Sequence, residues 1–398
     1  MASDPDALSP DTLAVHAGRG DLRALGVHAL PLDLSTTYPF ESLDGAVASL
    51  DAMMAGHGPT PEGGPVYSRL HSPTVARCES ALAALEGAEA SVAFASGMAA
   101  LTGAYLAART PEKHHIVGVK PIYGTTDKLL SSGMLGLDVT WTDAAGVADA
   151  IRPETALVSV ETPVNPTLDL VDLADVVRQA GGPEADGGVP VLVDSTFATP
   201  VVQRPLALGC ALVMHSGTKF LGGHGDVLAG VVAGSEAWAG RLREVRILTG
   251  ATLHPLAAYL LHRGLPTLPL RVRRAEATAT DLAARLGAHG AVSRVYHPSV
   301  PGRDPLGLVG TQMDGPGPML SFEVEGGFEA ADRLLRAVRL ITPAVSLGST
   351  DTLLQHPAGL TQRVASGEAG AITPGLLRLA VGLEDPDDLW ADLLRGLG

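Results

Sequence analysis

Cysteine is nearly missing from this chain. Only Cys78 and Cys210 occur among 398 residues, too few for a disulfide-stapled scaffold and without the paired spacing of a metal centre. Basic charge is also short. Lys and Arg number 28 against 43 Asp and Glu, a formal net charge of -15. Nucleic acid is bound through a basic surface, so it is not the expected partner. A local basic pocket for a small anion stays open, because net charge says little about one site. No apolar run approaches the roughly 20 residues that cross a bilayer. The opening "MASDPDALSPDTLAVHAG" is acidic and broken by proline, unlike a signal peptide. These absences point to a soluble, reducing, cytoplasmic setting with no membrane partner and no metal.

What is present is a packed globular composition, with 46% hydrophobic and 18% charged residues. The length exceeds what one core usually supports, so more than one domain is expected. Residues 1–65 read as an irregular arm punctuated by stretches such as "GHGPTPEGGP", either loose or draped over a neighbouring subunit. Residues 66–253 alternate short apolar runs ("SVAFAS", "HIVGV", "ALVSV", "VPVLVD", "CALVM", "LAGVVA") with helical patterns such as "TLDLVDLADVVRQAG". This alternation predicts an α/β domain with a mostly parallel sheet covered on both faces. Residues 254–398 hold fewer strand signals and separate helices, and predict a smaller α+β domain. Its last helix is marked by Asp385 as cap and Pro386 in the first turn.

In open α/β sheets, ligands sit beyond the carboxyl ends of the strands. Here "ALVSV" runs into Glu161 and then Asn165, "VPVLV" into Asp194, and "CALVM" into His215, Ser216, Thr218 and Lys219. "SVAFA" meets Ser96 and Gly97 before a helix, whose N–H groups suit an anion. Taken singly, Lys219 reads as a surface lysine, Asp194 as a helix cap, and His215 and His224 as core or turn histidines. His114 and His115 would point to opposite faces of a strand, which argues against a metal. Taken together, a strand-end lysine, a distant aspartate and an anion cradle are what pyridoxal phosphate requires. Arg378 lies in "LLRLAVGL", a setting for a buried guanidinium that needs either a ligand carboxylate or an acidic side chain.

The motifs "YSRLHSPT", "ASGMAA", "YGTT", "ETPVNPT", "VDSTFATP", "HSGTKFLGGHGD", "RGLPTLPLR" and "LRLAVGLED" together resemble the Cys/Met-metabolism enzymes that depend on pyridoxal phosphate. The resemblance covers nearly the whole chain and implies fold type I, the aspartate aminotransferase-like architecture. It implies that Lys219 carries the cofactor as a Schiff base, Asp194 pairs with the ring nitrogen and Tyr123 stacks on the ring. It gives the phosphate to Gly97, Met98, Ser216 and Thr218, helped by Tyr67 and Arg69 of a neighbouring subunit in a homotetramer with shared sites. Asn165 would lie near the phenolic oxygen, supported by Glu161. Arg378, with Ser346, would receive the carboxylate of an amino-acid substrate. Tyr123 is also a candidate acid.

The chain departs from the family pattern at His71, Ser72, Ser195 and Gln362. Within the family, Val345 stands where many cystathionine-handling members carry glutamate, which favours an apolar substrate end. Thr125 and Ile247 differ from the cysteine and aspartate typical of methionine γ-lyases. The reading is a γ-lyase acting on methionine, cystathionine or a related sulfur amino acid. Its alternative is a γ-replacement enzyme, an O-acyl-homoserine sulfhydrylase or cystathionine γ-synthase.

Overall fold

The computed structural model describes residues 8–360 and 372–398. Seven strands form the larger sheet: β1 (Ala90–Phe94), β2 (His115–Val119), β3 (Asp138–Thr142), β4 (Thr155–Glu161), β5 (Val191–Asp194), β6 (Leu212–Ser216) and β7 (Gly230–Gly234). Their spatial order is β1-β7-β6-β5-β4-β2-β3. The contiguous pairs from β6 through β5, β4 and β2 to β3 are parallel. β7 is antiparallel to both β6 and β1, so β1 runs the same way as β6. The carboxyl ends of β1, β2, β4, β5 and β6 therefore share one rim, as the α/β reading requires. β7 reverses because residues 217–229 return the chain without a crossover helix. The pattern of apolar runs did not reveal β3. It is an edge strand, "DVTWT", with no fully buried residue, so it lacks a continuous apolar signature.

The smaller sheet is the expected α+β unit. It contains β8 (Val292–Tyr296), β9 (Met319–Val324), β10 (Thr342–Pro343), β11 (Leu353–Gln355) and β12 (Leu376–Ala380) in the order β10-β11-β12-β9-β8. All pairs are antiparallel except β10 with β11. The final helix, Pro386–Leu397, starts where its cap predicted: the Asp385 carboxylate accepts from the Asp387 N–H at 2.9 Å.

The pattern change expected near residue 254 is not a change of core. Helix Pro255–Gly264 packs on helix Pro73–Glu86 of the larger unit. The two cores meet within one long helix, Leu268–Gly287. Its Leu268 and Val272 join the core of Leu261 and Leu265, while Leu282 and Leu286 join that of Phe322 and Leu377.

The described part of the arm is also more ordered than its punctuation suggested. Helix Pro10–His16 is capped by Ser9. It buries Ala14 in the chain's own core, and Asp11 pairs with Arg273. Helix Leu43–Met54 exposes Leu43, Val47, Leu50 and Met54, an apolar stripe at helical spacing. Helix Pro10–His16 is short, and the prolines and glycines around both helices drew attention away from the helical spacing within Leu43–Met54. Among the described residues no helix is long and apolar enough to cross a membrane.

Candidate active site

A cavity of about 480 Å³ opens on the rim shared by the parallel strands. Its floor begins at β1. Ser96 caps helix Gly97–Ala108, its hydroxyl accepting from the Ala99 N–H at 3.1 Å. Gly97 has no room for a side chain, since an added Cβ would lie 3.0 Å from the Ser216 Cβ. The bare helix terminus thus abuts the end of β6. Gly97, Met98, Ser216 and Thr218 all line the cavity. Unpaired N–H groups at a helix N-terminus favour an anion there. Thr218 also closes the β6–β7 loop, where its hydroxyl accepts from the Ala229 N–H at 3.0 Å.

Two carboxylates stand on neighbouring strands, Glu161 opposite Asp194 in register. Glu161 accepts from the Tyr123 N–H at 2.7 Å and the Asn165 N–H at 2.8 Å. It therefore fixes the positions of both residues. Burial pushes its carboxyl up to about 8, and the Asp194 charge adds to this. Burial raises Asp194 as well, against the hydrogen bonds from Thr196. Among the described residues only Oδ1 of Asp194 is engaged, by the Thr196 hydroxyl at 2.5 Å and N–H at 3.0 Å. Thr196 was missed in sequence, although a hydroxyl two residues after a strand-end aspartate is a common local partner.

Lys219 lines the same cavity. Its Nζ donates to the Ser346 hydroxyl at 2.6 Å. Burial brings its ammonium down to about 8, and the Arg378 charge contributes. Ser346 holds a φ of 89°, a left-handed conformation that non-glycine residues adopt at a cost of about 1–3 kcal/mol. It is retained where one residue touches both cations: the Ser346 carbonyl accepts from Arg378 at 2.9 Å.

Arg378 lies in β12, the central strand of the smaller sheet, and is 4% exposed. Its other acceptors are the Asn165 Oδ1 at 2.9 Å and the Gln355 Oε1 at 2.5 Å. The Phe197 ring is 5.8 Å from the guanidinium carbon. Nε has no partner. Burial lowers the guanidinium to about 10. Among the described residues no carboxylate hydrogen-bonds to it, and Glu161 acts on it only through space. Gln355, Phe197 and Thr196 are cavity residues that sequence reading did not single out.

Val345 and Leu228 line the mouth, 52% and 69% exposed. Tyr67 and Arg69 lie outside this cavity. Arg69 donates to the Ile247 carbonyl at 2.8 Å and sits 5.6 Å from the Tyr67 ring centre. Thr125 is exposed on helix Gly124–Ser131, and Ile247 is buried.

The histidines behave as core and turn groups. His115 is buried between the hydroxyls of Thr140 and Thr155. His215 pairs with Glu86, and His224 with the Gly222 carbonyl. No cluster of three metal-ligating side chains occurs among the described residues. Ser195 is wholly buried and accepts from Gln203 at 3.1 Å, behind the cavity wall. His71 lines a separate cavity, and Ser72 begins helix Pro73–Glu86 without a side-chain capping bond. Gln362 lies outside the described residues.

These groups fit pyridoxal phosphate. The Lys219 amine suits its aldehyde, the free Asp194 oxygen its ring nitrogen, and the cradle closed by Gly97 its phosphate. Comparison with known proteins agrees. The chain is 52% identical to the L-methionine gamma-lyase of Brevibacterium aurantiacum over 397 residues, 100% of this chain and 96% of that one. It is also 52% identical to that of Streptomyces avermitilis, with 99% and 90% covered. The apo structure of CalE6, a methionine gamma lyase from Micromonospora echinospora, matches with a TM-score of 0.84 at 36% identity, covering 98% of this chain and 99% of that one. A cystathionine gamma synthase from Xanthomonas oryzae pv. oryzae matches with a TM-score of 0.88 at 32% identity, covering 98% of each. The family model for the Cys/Met metabolism PLP-dependent enzymes spans residues 11–398. With site, fold and sequence in agreement, the chain is a pyridoxal-phosphate-dependent carbon–sulfur lyase and belongs to that family.

Proposed function

We propose that the protein is a γ-lyase for L-methionine, converting it with one water into methanethiol, 2-oxobutanoate and ammonia. The cavity wall carries this choice. Among the described lining residues the only carboxylates are Glu161 and Asp194, both on the sheet rim, and the mouth presents Val345 and Leu228. A thioether methyl is at home there. The second ammonium of cystathionine would meet these apolar side chains with no carboxylate beside them, a poorer match than a methyl group finds. The relatives named L-methionine gamma-lyase, at 52% identity, support the same reading.

When bound, pyridoxal phosphate supplies an electron sink for the carbanion formed at Cα. The chain's own residues do the rest. Arg378 holds the substrate carboxylate through its fork. The Lys219 amine, driven toward neutrality by burial, takes the proton from Cα. The Ser346 hydroxyl keeps that amine aimed. A second deprotonation, at Cβ, supplies the electron pair that breaks the Cγ–S bond, and Tyr123, whose backbone is pinned by Glu161 and which would stack on the ring, gives its phenolic proton to the departing sulfur. Asp194 would hold the ring nitrogen and Asn165 would serve the ring oxygen. Gly97, Met98, Ser216 and Thr218 would hold the phosphate.

The reading also includes a homotetramer in which Tyr67 and Arg69 reach a neighbour's phosphate. Among the described lining residues the only cations are Lys219 and Arg378, and a phosphate dianion calls for more. The apolar stripe of helix Leu43–Met54 is a surface that such assembly would cover. Two buried free thiols, Cys78 and Cys210, suit a reducing cytoplasm.

A substrate panel tests the reading. L-methionine, L-cystathionine and an O-acyl-homoserine with added thiol are compared, with 2-oxobutanoate, thiol and replacement product all measured. Methionine should give equal amounts of thiol and 2-oxobutanoate with the highest kcat/KM. A replacement product as the main outcome contradicts it.

A further inference from the structure

We propose that Gln355 is a positioning residue for Arg378, and that its neutrality sets the affinity of the site for an α-carboxylate. This rests on Arg378 receiving that carboxylate. Gln355 ends β11 and stands directly opposite Arg378 on β12. Cross-strand partners in an antiparallel pair project to the same face. Both are buried, 1% and 4% exposed, and the Gln355 Oε1 accepts from the guanidinium. The remaining acceptors, the Asn165 Oδ1 and the Ser346 carbonyl, are also neutral.

Three neutral oxygens hold the guanidinium in place without cancelling its charge. Its Nε, buried and without a partner, is left as a donor. A carboxylate at position 355 would have the same shape as the amide and make a tighter hydrogen bond. It would also neutralise Arg378 from within, and the substrate carboxylate would meet a spent cation. The amide is thus a specificity device: it orients the fork and, unlike the carboxylate of Glu161 acting through space, takes none of the charge that the substrate needs.

The test compares Gln355→Glu, Gln355→Met and Arg378→Met as holoenzymes. The probes are L-norleucine, which has no γ leaving group, and its amide, which has no carboxylate. Binding is measured by calorimetry, with kcat and KM for L-methionine alongside. Gln355→Glu should weaken L-norleucine roughly 30-fold and its amide less than about threefold, with the kinetic loss falling more on KM than on kcat. Gln355→Met removes the hydrogen bond without adding charge and should weaken L-norleucine only about threefold.

Equal losses for both probes in Gln355→Glu, or no loss, overturn the proposal. So does a larger loss in Gln355→Met than in Gln355→Glu. Should Gln355→Glu fail to hold cofactor, a loss above about tenfold in Gln355→Met still overturns it, because the hydrogen bond alone is not worth that much. If Arg378→Met binds L-norleucine as the wild type does, the reading of Arg378 itself falls. If Arg378→Met loses binding while Gln355→Glu does not, only the role of Gln355 falls.

Discussion

Two arginines lie buried beside two cavities, and their surroundings differ in one respect. Arg246, 5% exposed, pairs with the Glu79 carboxylate and the Ala93 carbonyl. Arg378, 4% exposed, is held by an amide from each of two side chains and one backbone carbonyl. Each leaves its Nε without a partner. The difference is the carboxylate. Glu79 also accepts from the Ala93 N–H at 2.8 Å, so the Arg246 pair ties helix Pro73–Glu86 to β1 and to helix Glu236–Thr249. Its charge is compensated and its work is structural. The charge of Arg378 is compensated by nothing it hydrogen-bonds to, which suits a group awaiting an anion. Burial alone does not mark a candidate binding arginine, nor do neutral partners alone, since buried Arg271 holds only a hydroxyl and carbonyls away from the cavity; Arg378 combines neutral partners with a place on the cavity wall.

The widest separation should come from truncating each in turn. Arg246→Met strands a buried carboxylate and should cost about 3–5 kcal/mol of stability, measured by chemical denaturation. Arg378→Met should leave stability nearly intact while raising KM for L-methionine roughly 100-fold, as expected for loss of charge-assisted bonds. The reverse pattern would break the comparison.

A second effect separates the two through Lys219. Its ammonium is lowered to about 8 by burial first and by Arg378 second. Only the neutral amine attacks an aldehyde. Uptake of pyridoxal phosphate by cofactor-free protein should therefore level off above pH 8 and fall about tenfold per pH unit below it. Removing the Arg378 charge favours the ammonium, so the midpoint should move upward in Arg378→Met and stay in place in Arg246→Met. A wild-type midpoint near the ordinary lysine value would contradict the burial argument.

The smallest effect concerns the mouth. Val345→Glu adds a charge at the mouth, where the proposed function puts the distal end of the substrate. It should shift the ratio of kcat/KM toward cystathionine and away from methionine by about 1 kcal/mol, roughly fivefold. An unchanged ratio in a folded, cofactor-bound variant would remove Val345 from specificity.

The same contrast explains what was legible in the sequence. Parallel strands send their ends to one rim whatever the loops do, so Glu161, Asp194, Ser216 and Lys219 were readable from position alone. Thr196 belongs to that local logic and was within reach. The partners of Arg378 were not. Gln355 meets it only through the register of β11 on β12, and Ser346 only through a left-handed turn. Neither register nor backbone strain leaves a local sequence mark. β3 and helix Pro10–His16 escaped for a related reason, since half-exposed or short elements carry weak periodicity; the Leu43–Met54 stripe has helical spacing and was within reach. The division into units was blurred because helix Leu268–Gly287 serves two cores with one continuous amphipathic pattern.

The central claim is that the rim cavity holds pyridoxal phosphate on Lys219. Borohydride reduction of the purified protein, followed by peptide mapping, tests it most directly. The account predicts one reduced phosphopyridoxyl group per chain, on the peptide containing Lys219 and absent from Lys219→Ala. Attachment at another lysine, or unchanged labelling of that peptide in Lys219→Ala, would contradict it.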